Sequence, residues 1–357
     1  MSRIRIAIAG VGNCASSLVQ GLSYYAQNPT APGLMHATLG GYEAKDIEIA
    51  AAFDVDVRKV GTPLDEAIFA QPNNTKVFCR PARSGPPVIV QMSPILDGIP
   101  DHMSGYPDHQ RFIAASEKPI DTAGRLRDSR TQILVNYLPV GAQKATEHFA
   151  QACLDAGVAM VNCIPVFIAS NPAWAERFRQ RQLPIVGDDI KAQVGATITH
   201  RTLVKLLAGR GVRVDRPYQL NTGGDTDFLH MLHPARLKDK KVSKTEAVTS
   251  QLGAPVDPDN VHIGPSDFVP WLADNKVCFL RVEGTGFGGV PMNIELRLSV
   301  EDSPNSAAVV VDAIRLAKVA LDRKQSGPIE PASAWCMKHP PRQMTDAEAK
   351  AAVEGLA

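Results

Sequence analysis

Lysines are crowded into one short stretch of this sequence, where Lys238, Lys240, Lys241 and Lys244 lie close together. Neighbouring ammonium groups lower one another's pKa, and burial lowers it further. A lysine tuned in this way can act as an acid or base, or can stabilise a phosphate or a developing oxyanion. The alternative is a solvated basic face, and the run by itself favours that alternative.

Two pairs of aspartates follow predicted strand ends, which is where an open parallel sheet binds its ligands. Asp188 and Asp189 form the first pair, and Asp225 and Asp227 follow a glycine-containing turn. Aspartates in turns also cap the next helix, so a structural role stays open for Asp189 and Asp227. No His and Cys residues have the spacing of a metal site, and we expect no metal.

A glycine-rich turn follows the first apolar strand. The segment GVGNCA begins at Gly10 and includes Gly12, Asn13 and Cys14. Its glycines let the backbone approach a pyrophosphate, and the amides of the next helix face the negative charge. A second strand ends at Asp54, whose carboxylate would bind the adenine ribose and repel a 2′-phosphate, which favours NAD over NADP. A tight turn without a ligand is the alternative.

Strands and helices alternate along much of the chain. Predicted strands cover 4–9, 47–53, 132–138, 158–164 and 185–186, and predicted helices cover 15–24, 143–155, 172–181 and 195–207. This alternation predicts an α/β fold with a Rossmann-type doubly wound parallel sheet. Residues 60–130 have no clear pattern.

The pattern changes in the last third of the chain. Strands at 277–283 and 293–300, joined by a glycine-rich segment, indicate antiparallel pairing. An apolar helix over 305–324 follows. We therefore predict an NAD-binding domain over 1–190, completed by 305–357, and an inserted α+β catalytic and oligomerisation domain over 191–304.

Composition excludes several classes of function. The 357 residues carry a formal net charge of +1, so no global basic field points to nucleic acid. No apolar run approaches the roughly 20 residues that a membrane span needs. The 6 cysteines are scattered, as free thiols in a reducing compartment would be. These features predict a cytoplasmic protein without a nucleic-acid or membrane partner.

Taken together, these segments resemble the myo-inositol-1-phosphate synthase family in its short bacterial form. The resemblance covers nearly the whole chain. The segments that carry it are 10–18, 51–56, 136–141, 187–191, 194–201, 240–250 and 302–307.

The resemblance implies a homotetrameric, NAD-dependent and redox-neutral cyclase. In such a reaction glucose 6-phosphate is oxidised at C5, which makes C6 acidic. The C6 enolate then attacks the C1 aldehyde, and C5 is reduced again to give myo-inositol 1-phosphate (1D-myo-inositol 3-phosphate). This family chemistry overturns the solvated-face interpretation of Lys240 and Lys244.

Residue roles follow from the resemblance position by position. Lys240 would serve the C5 hydroxyl, and Lys244 would lie near the phosphate and the enolising carbon. Lys276 and Lys338 would stabilise the aldehyde oxygen. The lysines and the nicotinamide would be oriented by Asp189, Asp227 and Asp302. Cofactor contacts are assigned to Gly10, Gly12, Asn13, Cys14, Asp54, Asn136, Asp188, Ala192, Asp227 and Lys240.

Some positions depart from the family pattern near the ligands. Asp225 and Thr226 stand where the family usually has Asn and Met, and Ala192 stands where it has Ser. We expect these three positions to govern substrate choice. A same-mechanism relative that closes fructose 6-phosphate to a five-membered ring is therefore one alternative. A net dehydrogenase and a non-catalytic NAD-binding regulator are the others, although all four lysines are present.

Overall fold

The protein is described by a computed structural model covering residues 3–82, 85–252 and 255–356, with backbone alone for 234–237 and 265–266. Its strands are β1 (Ile4–Ala9), β2 (Thr38–Leu39), β3 (Tyr42–Glu43), β4 (Ile47–Asp54), β5 (Val90–Met92), β6 (Ile133–Asn136), β7 (Ala159–Asn162), β8 (Pro184–Val186), β9 (Arg213–Gly223), β10 (His262–Phe268), β11 (Asn275–Thr285), β12 (Pro291–Glu301) and β13 (Gly327–Pro328). Its helices are α1 (Asn13–Gln27), α2 (Leu64–Ala67), α3 (Thr122–Asp128), α4 (Gln143–Ala156), α5 (Pro172–Gln180), α6 (Ala196–Gly209), α7 (Thr226–Met231), α8 (Pro234–Thr249), α9 (Asp302–Asp322), α10 (Glu330–Cys336) and α11 (Asp346–Leu356).

The larger sheet has 7 strands in the order β13-β8-β7-β6-β1-β4-β5. Every pairing in it is parallel. Its strands are mostly apolar, as in β1 with the sequence IRIAIA, because helices cover both faces. The strand order reverses beside β1, so the carboxyl ends of β1 and β6 flank a crevice suited to a ligand. The predicted doubly wound α/β fold is confirmed.

The smaller sheet has 4 strands in the order β10-β9-β11-β12. The predicted antiparallel pairing is present between β11 and β12 and between β11 and β9, whereas β10 adds a parallel edge strand. One face packs on α6 and α8 through buried residues that include Val204, Val248 and Leu280. How the chain divides into domains stays a prediction.

Helix α9 returns the chain from the smaller sheet to the larger one. It packs against α1 and against β6, β7 and β8. Arg315, fully buried on α9, is paired with Asp312 and donates to the carbonyl oxygens of His36 and Tyr42 at 2.9 and 3.2 Å. The segment between α1 and β4 is thereby attached to the core, although it is longer than the helix-to-strand connection needs.

Helix α8 and strand β9 are among the elements that the sequence analysis did not predict. Helix α8 carries the lysine run, but polar residues dominate its sequence and hide the apolar period. Strand β9 contains Pro217, which argues against a strand interior, yet Pro217 is paired with Val282 of β11. Both segments take up their secondary structure because of tertiary packing.

Gly10 and Gly12 differ sharply in what a side chain would meet. At Gly10, φ is +91° and an added Cβ would lie 2.6 Å from the carbonyl oxygen of Tyr137. At Gly12, φ is −89° and nothing lies within 4 Å of such a Cβ. We expect Gly10→Ala to lower the free energy of unfolding by at least about 2 kcal/mol, because a backbone clash adds to left-handed strain.

Gly12→Ala is the matched control. It should stay within about 1 kcal/mol of the wild type, because only the helix N-cap preference changes. Urea unfolding followed by circular dichroism measures both values. Equal destabilisation by the two variants would contradict this account of the turn.

Candidate active site

One cavity lies at the carboxyl edge of the larger sheet, between the glycine turn and helix α8. Most of the residues predicted from the sequence line it. They are Gly10, Gly12, Asn13, Cys14, Asp54, Asp189, Ala192, Asp225, Thr226, Asp227, Lys240, Lys244, Lys276, Asp302 and Lys338. Sequence positions from 10 to 338 are thus brought together at one site.

The glycine turn presents the first amides of α1 to this cavity. Gly12 is the N-cap of α1, and no side chain caps that helix end. Since the first N–H groups of a helix lack partners within it, they are available to an anion. The open space at Gly12 would admit a phosphate close to the backbone.

Asp54 supports the turn from behind. One of its oxygens accepts a hydrogen bond from the Val11 N–H at 2.7 Å. The other accepts from the N–H groups of Val55 and Asp56, at 2.7 and 2.9 Å. The carboxylate predicted to bind ribose therefore also fixes the turn.

Asp189 joins three parts of the chain in the centre of the cavity wall. The residue is 1% exposed, and its φ is +64°. Lys240 of α8 and Lys338 of the C-terminal segment approach one oxygen at 3.4 and 3.0 Å, and the Ser243 hydroxyl donates to the other at 2.6 Å. Burial opposes ionisation, but the two ammonium groups and the hydroxyl outweigh it and hold the pKa of Asp189 below its usual range.

Two further ion pairs surround this carboxylate. Asp227 lies 3.6 Å from the ammonium of Lys240. Lys276 of β11 donates to both oxygens of Asp302, each at 2.8 Å. Burial lowers the pKa of Lys240 and of Lys276, but the carboxylates beside them raise it by more, so both remain charged.

Lys244 differs from the other three lysines. It is 3% exposed, and among the described residues no carboxylate lies within ion-pair distance of its ammonium. Burial, together with the positive charges of Lys276, Lys240 and Lys338, lowers its pKa from 10.5 to about 7. Lys244 can therefore gain or release a proton near neutral pH.

Asn136 and Asp188 do not line the cavity, although we expected both to contact a cofactor. Asp188 is fully buried and accepts from the Asn162 amide at 2.7 Å and from the Ser170 hydroxyl at 2.8 Å. The side-chain amide of Asn136 donates to the side-chain oxygen of Asn162 at 2.8 Å. In the structure, this chain of amides fixes the loop that contains residues 166–170.

Cys14 faces the cavity as expected, but its surroundings make it a poor nucleophile. Burial and the nearby Asp274 carboxylate raise the pKa of its thiol to about 12. Within the described ranges, no group of His, Cys, Asp and Glu residues has the arrangement of a metal site.

Comparison with known proteins places these residues in a family. A family model described as myo-inositol-1-phosphate synthase matches residues 195–303. Inositol-3-phosphate synthase of Mycolicibacterium smegmatis is 54% identical over 98% of this chain and 97% of its own length. The chain belongs to the myo-inositol-1-phosphate synthase family.

Two further comparisons agree with this assignment. Inositol-3-phosphate synthase of Mycobacterium tuberculosis is 52% identical over 99% of this chain and 95% of its own length. The crystal structure of Ari2 covers 99% of both chains with a TM-score of 0.77 at 32% identity. The resemblance seen in the sequence is confirmed, and so is the prediction that the chain is an enzyme of this family.

No helix in the described ranges has both the length and the apolar character that crossing a membrane requires.

Two buried ionisable residues that lie beside this family member's cavity were missed in the sequence. Asp274, 1% exposed, accepts from the hydroxyls of Thr75 and Ser303 at 2.6 and 2.7 Å. Lys59, fully buried, donates to the Val11 carbonyl oxygen at 2.8 Å, beneath the glycine turn. Neither lies in a motif, and only their contacts with distant segments identify them.

Lys244→Met should stabilise the fold while removing a reactive group. The folded protein loses the Lys244 proton above about pH 7, whereas the unfolded chain keeps it up to about 10.5. The cost of burying the charge is therefore fully present below pH 7 and disappears as the pH rises toward 10.5. We expect Lys244→Met to raise the free energy of unfolding at about pH 6 by at least about 1 kcal/mol, with a smaller gain at about pH 9.

Lys241→Met, an exposed position on the same helix, is the control and should change little. Urea unfolding at both pH values measures the four differences. A loss of stability in Lys244→Met at the lower pH would show that Lys244 has a compensating partner.

Proposed function

We propose that this chain is an NAD-dependent cyclase that converts glucose 6-phosphate into 1D-myo-inositol 3-phosphate without net oxidation. The observation that carries the proposal is the convergence of Lys240, Lys244, Lys276 and Lys338 on the same cavity as the glycine turn. A dinucleotide site and a set of ammonium groups beside it suit an oxidation that is coupled to carbanion chemistry. Relatives that share half of the sequence are named inositol-3-phosphate synthases.

The residues present fit NAD. Uncapped amides at the start of α1 and the open space at Gly12 would hold the pyrophosphate. Asp54 would meet the adenine ribose and disfavour a 2′-phosphate. When bound, NAD would supply the reversible acceptance of a hydride.

The lysines divide the remaining work according to their charge states. Lys240, held charged by Asp189 and Asp227, would hydrogen-bond the C5 oxygen of the sugar. Lys244, which titrates near neutral pH, suits proton removal at C6 and the binding of the phosphate. Lys276 and Lys338 would stabilise the oxyanion that develops at C1 when the ring closes.

Assembly into a homotetramer is part of the proposal. The sheet face that α6 and α8 leave uncovered carries apolar side chains on neighbouring strands. Leu220 lies opposite Phe279 in the β9–β11 register, and these residues are 37% and 47% exposed. Tyr218, at 37% exposure, extends this patch along β9. A contiguous apolar sheet face of this kind is typical of subunit contacts.

A second candidate is the same reaction on another hexose phosphate, such as fructose 6-phosphate closing to a five-membered ring. Asp225, Thr226 and Ala192 all line the cavity, as expected for positions that select the substrate. A regulator without turnover is disfavoured because all four lysines line the cavity and three of them are paired with carboxylates.

The reaction is tested with purified protein, a catalytic amount of NAD, and each hexose 6-phosphate supplied separately. We expect many turnovers of glucose 6-phosphate, no net rise in NADH absorbance, and an inositol phosphate identified by NMR. Lys244→Ala should lower kcat on the order of 10²-fold or more, whereas Lys241→Ala should not.

Other outcomes would redirect the proposal. A cyclopentane product from fructose 6-phosphate would establish the second candidate. Stoichiometric NADH would identify a net dehydrogenase, and full turnover in Lys244→Ala would remove the lysine from the chemistry.

A further inference from the structure

Asp225 uses one of its two carboxyl oxygens to begin helix α7. That oxygen accepts from the N–H groups of Asp227 and Phe228 at 2.8 and 3.0 Å. Within the part of the chain that is described, no donor is hydrogen-bonded to the other oxygen, and the residue lines the cavity. One oxygen of Asp225 is thus committed to the helix, and the other is available to a ligand.

The charges that face Asp225 are predominantly negative. They come from Asp227 on its own helix, Asp274 before β11 and Asp302 at the start of α9, with Lys276 of β11 as the nearby cation. Lys276 is already held by both oxygens of Asp302. Among the described residues no ion pair neutralises Asp225, since Lys240 pairs with Asp227 and Lys276 pairs with Asp302.

We propose that Asp225 acts as a neutral carboxylic acid that donates its O–H to a hydroxyl or carbonyl oxygen of the bound sugar phosphate. The choice of ligand rests on the function proposed above. Asp225 would then be a specificity residue that contacts the substrate without adding negative charge beside it.

The physical case combines geometry with protonation. An ionised carboxylate would repel an anionic sugar phosphate, and the ammonium of Lys276 beside Asp225 is already engaged by Asp302. Burial, followed by the charges of Asp227, Asp274 and Asp302, raises the pKa of Asp225 well above its usual range. In the acid form, the capping oxygen still accepts from the helix while the second oxygen carries a proton toward the cavity. The group then resembles the side-chain amide of asparagine in shape, charge and hydrogen-bond polarity.

Two variants separate this role from helix capping. Asp225→Asn and Asp225→Ser both retain a good N-cap, but only Asn keeps a second polar atom directed at the cavity. The shape of kcat/KM for the hexose 6-phosphate against pH is the kinetic readout. As pH rises through the raised pKa of Asp225, kcat/KM of the wild type should fall, and this fall should be reduced or absent in Asp225→Asn.

Asp225→Ser should lower kcat/KM at neutral pH by about tenfold relative to Asp225→Asn, with similar thermal unfolding of the two proteins. The proposal would be overturned if kcat/KM fell with rising pH in the same way in the wild type and in Asp225→Asn. So would equal kcat/KM in the Asn and Ser variants, or a folded but inactive Asp225→Asn, which would indicate that the carboxylate itself is required.

Infrared difference spectroscopy tests the acid form without any substrate. The wild-type spectrum at neutral pH should contain the carbonyl stretch of a protonated carboxylic acid that the Asp225→Asn spectrum lacks. Absence of that band would overturn the proposal even in an active enzyme. Its presence in a protein that turns over no hexose 6-phosphate would locate the failure in the proposed function instead.

Discussion

The candidate site depends on the hydrogen bonds and ion pairs that the buried carboxylate of Asp189 makes. It is placed at the carboxyl edge of the parallel sheet, where β8 ends, and it accepts from α8 and from the C-terminal segment. Breaking a buried pair of this kind leaves an uncompensated charge, which costs several kcal/mol. This contact links α8, which carries Lys240 and Lys244, to the carboxyl edge of the sheet.

The positive and negative charges of the cavity lie on different sides. Lys240, Lys276 and Lys338 are neutralised by carboxylates, and Lys244 is surrounded by their ammonium groups without a carboxylate of its own. On the other side, Asp225 lies among acids. An ionisable group whose charge matches that of its surroundings tends to become neutral, which favours the uncharged forms of Lys244 and Asp225.

The sequence predicted local features well and distant contacts poorly. The glycine turn, Asp54 and the parallel strands could be predicted because each depends on neighbouring residues and on a simple apolar period. The Lys338–Asp189 contact spans 149 positions and could be expected from the family resemblance alone, whereas Lys59, beneath a turn 48 positions away, was missed. No pattern in one sequence encodes such pairings. Asn136 and Asp188, which the resemblance assigned to the cofactor, lie in a buried hydrogen-bond network.

The central claim is that the ion-pair arrangement leaves Lys244 as the site's titratable base, and the titration of its side chain by NMR tests this most directly. Protein containing lysine labelled with ¹³C at Cε is titrated, and the Lys244 signal is assigned by its loss in Lys244→Met. The account predicts a midpoint at about pH 7. A midpoint near the ordinary value of 10.5 would contradict it, since Lys244 would then be fully charged at neutral pH.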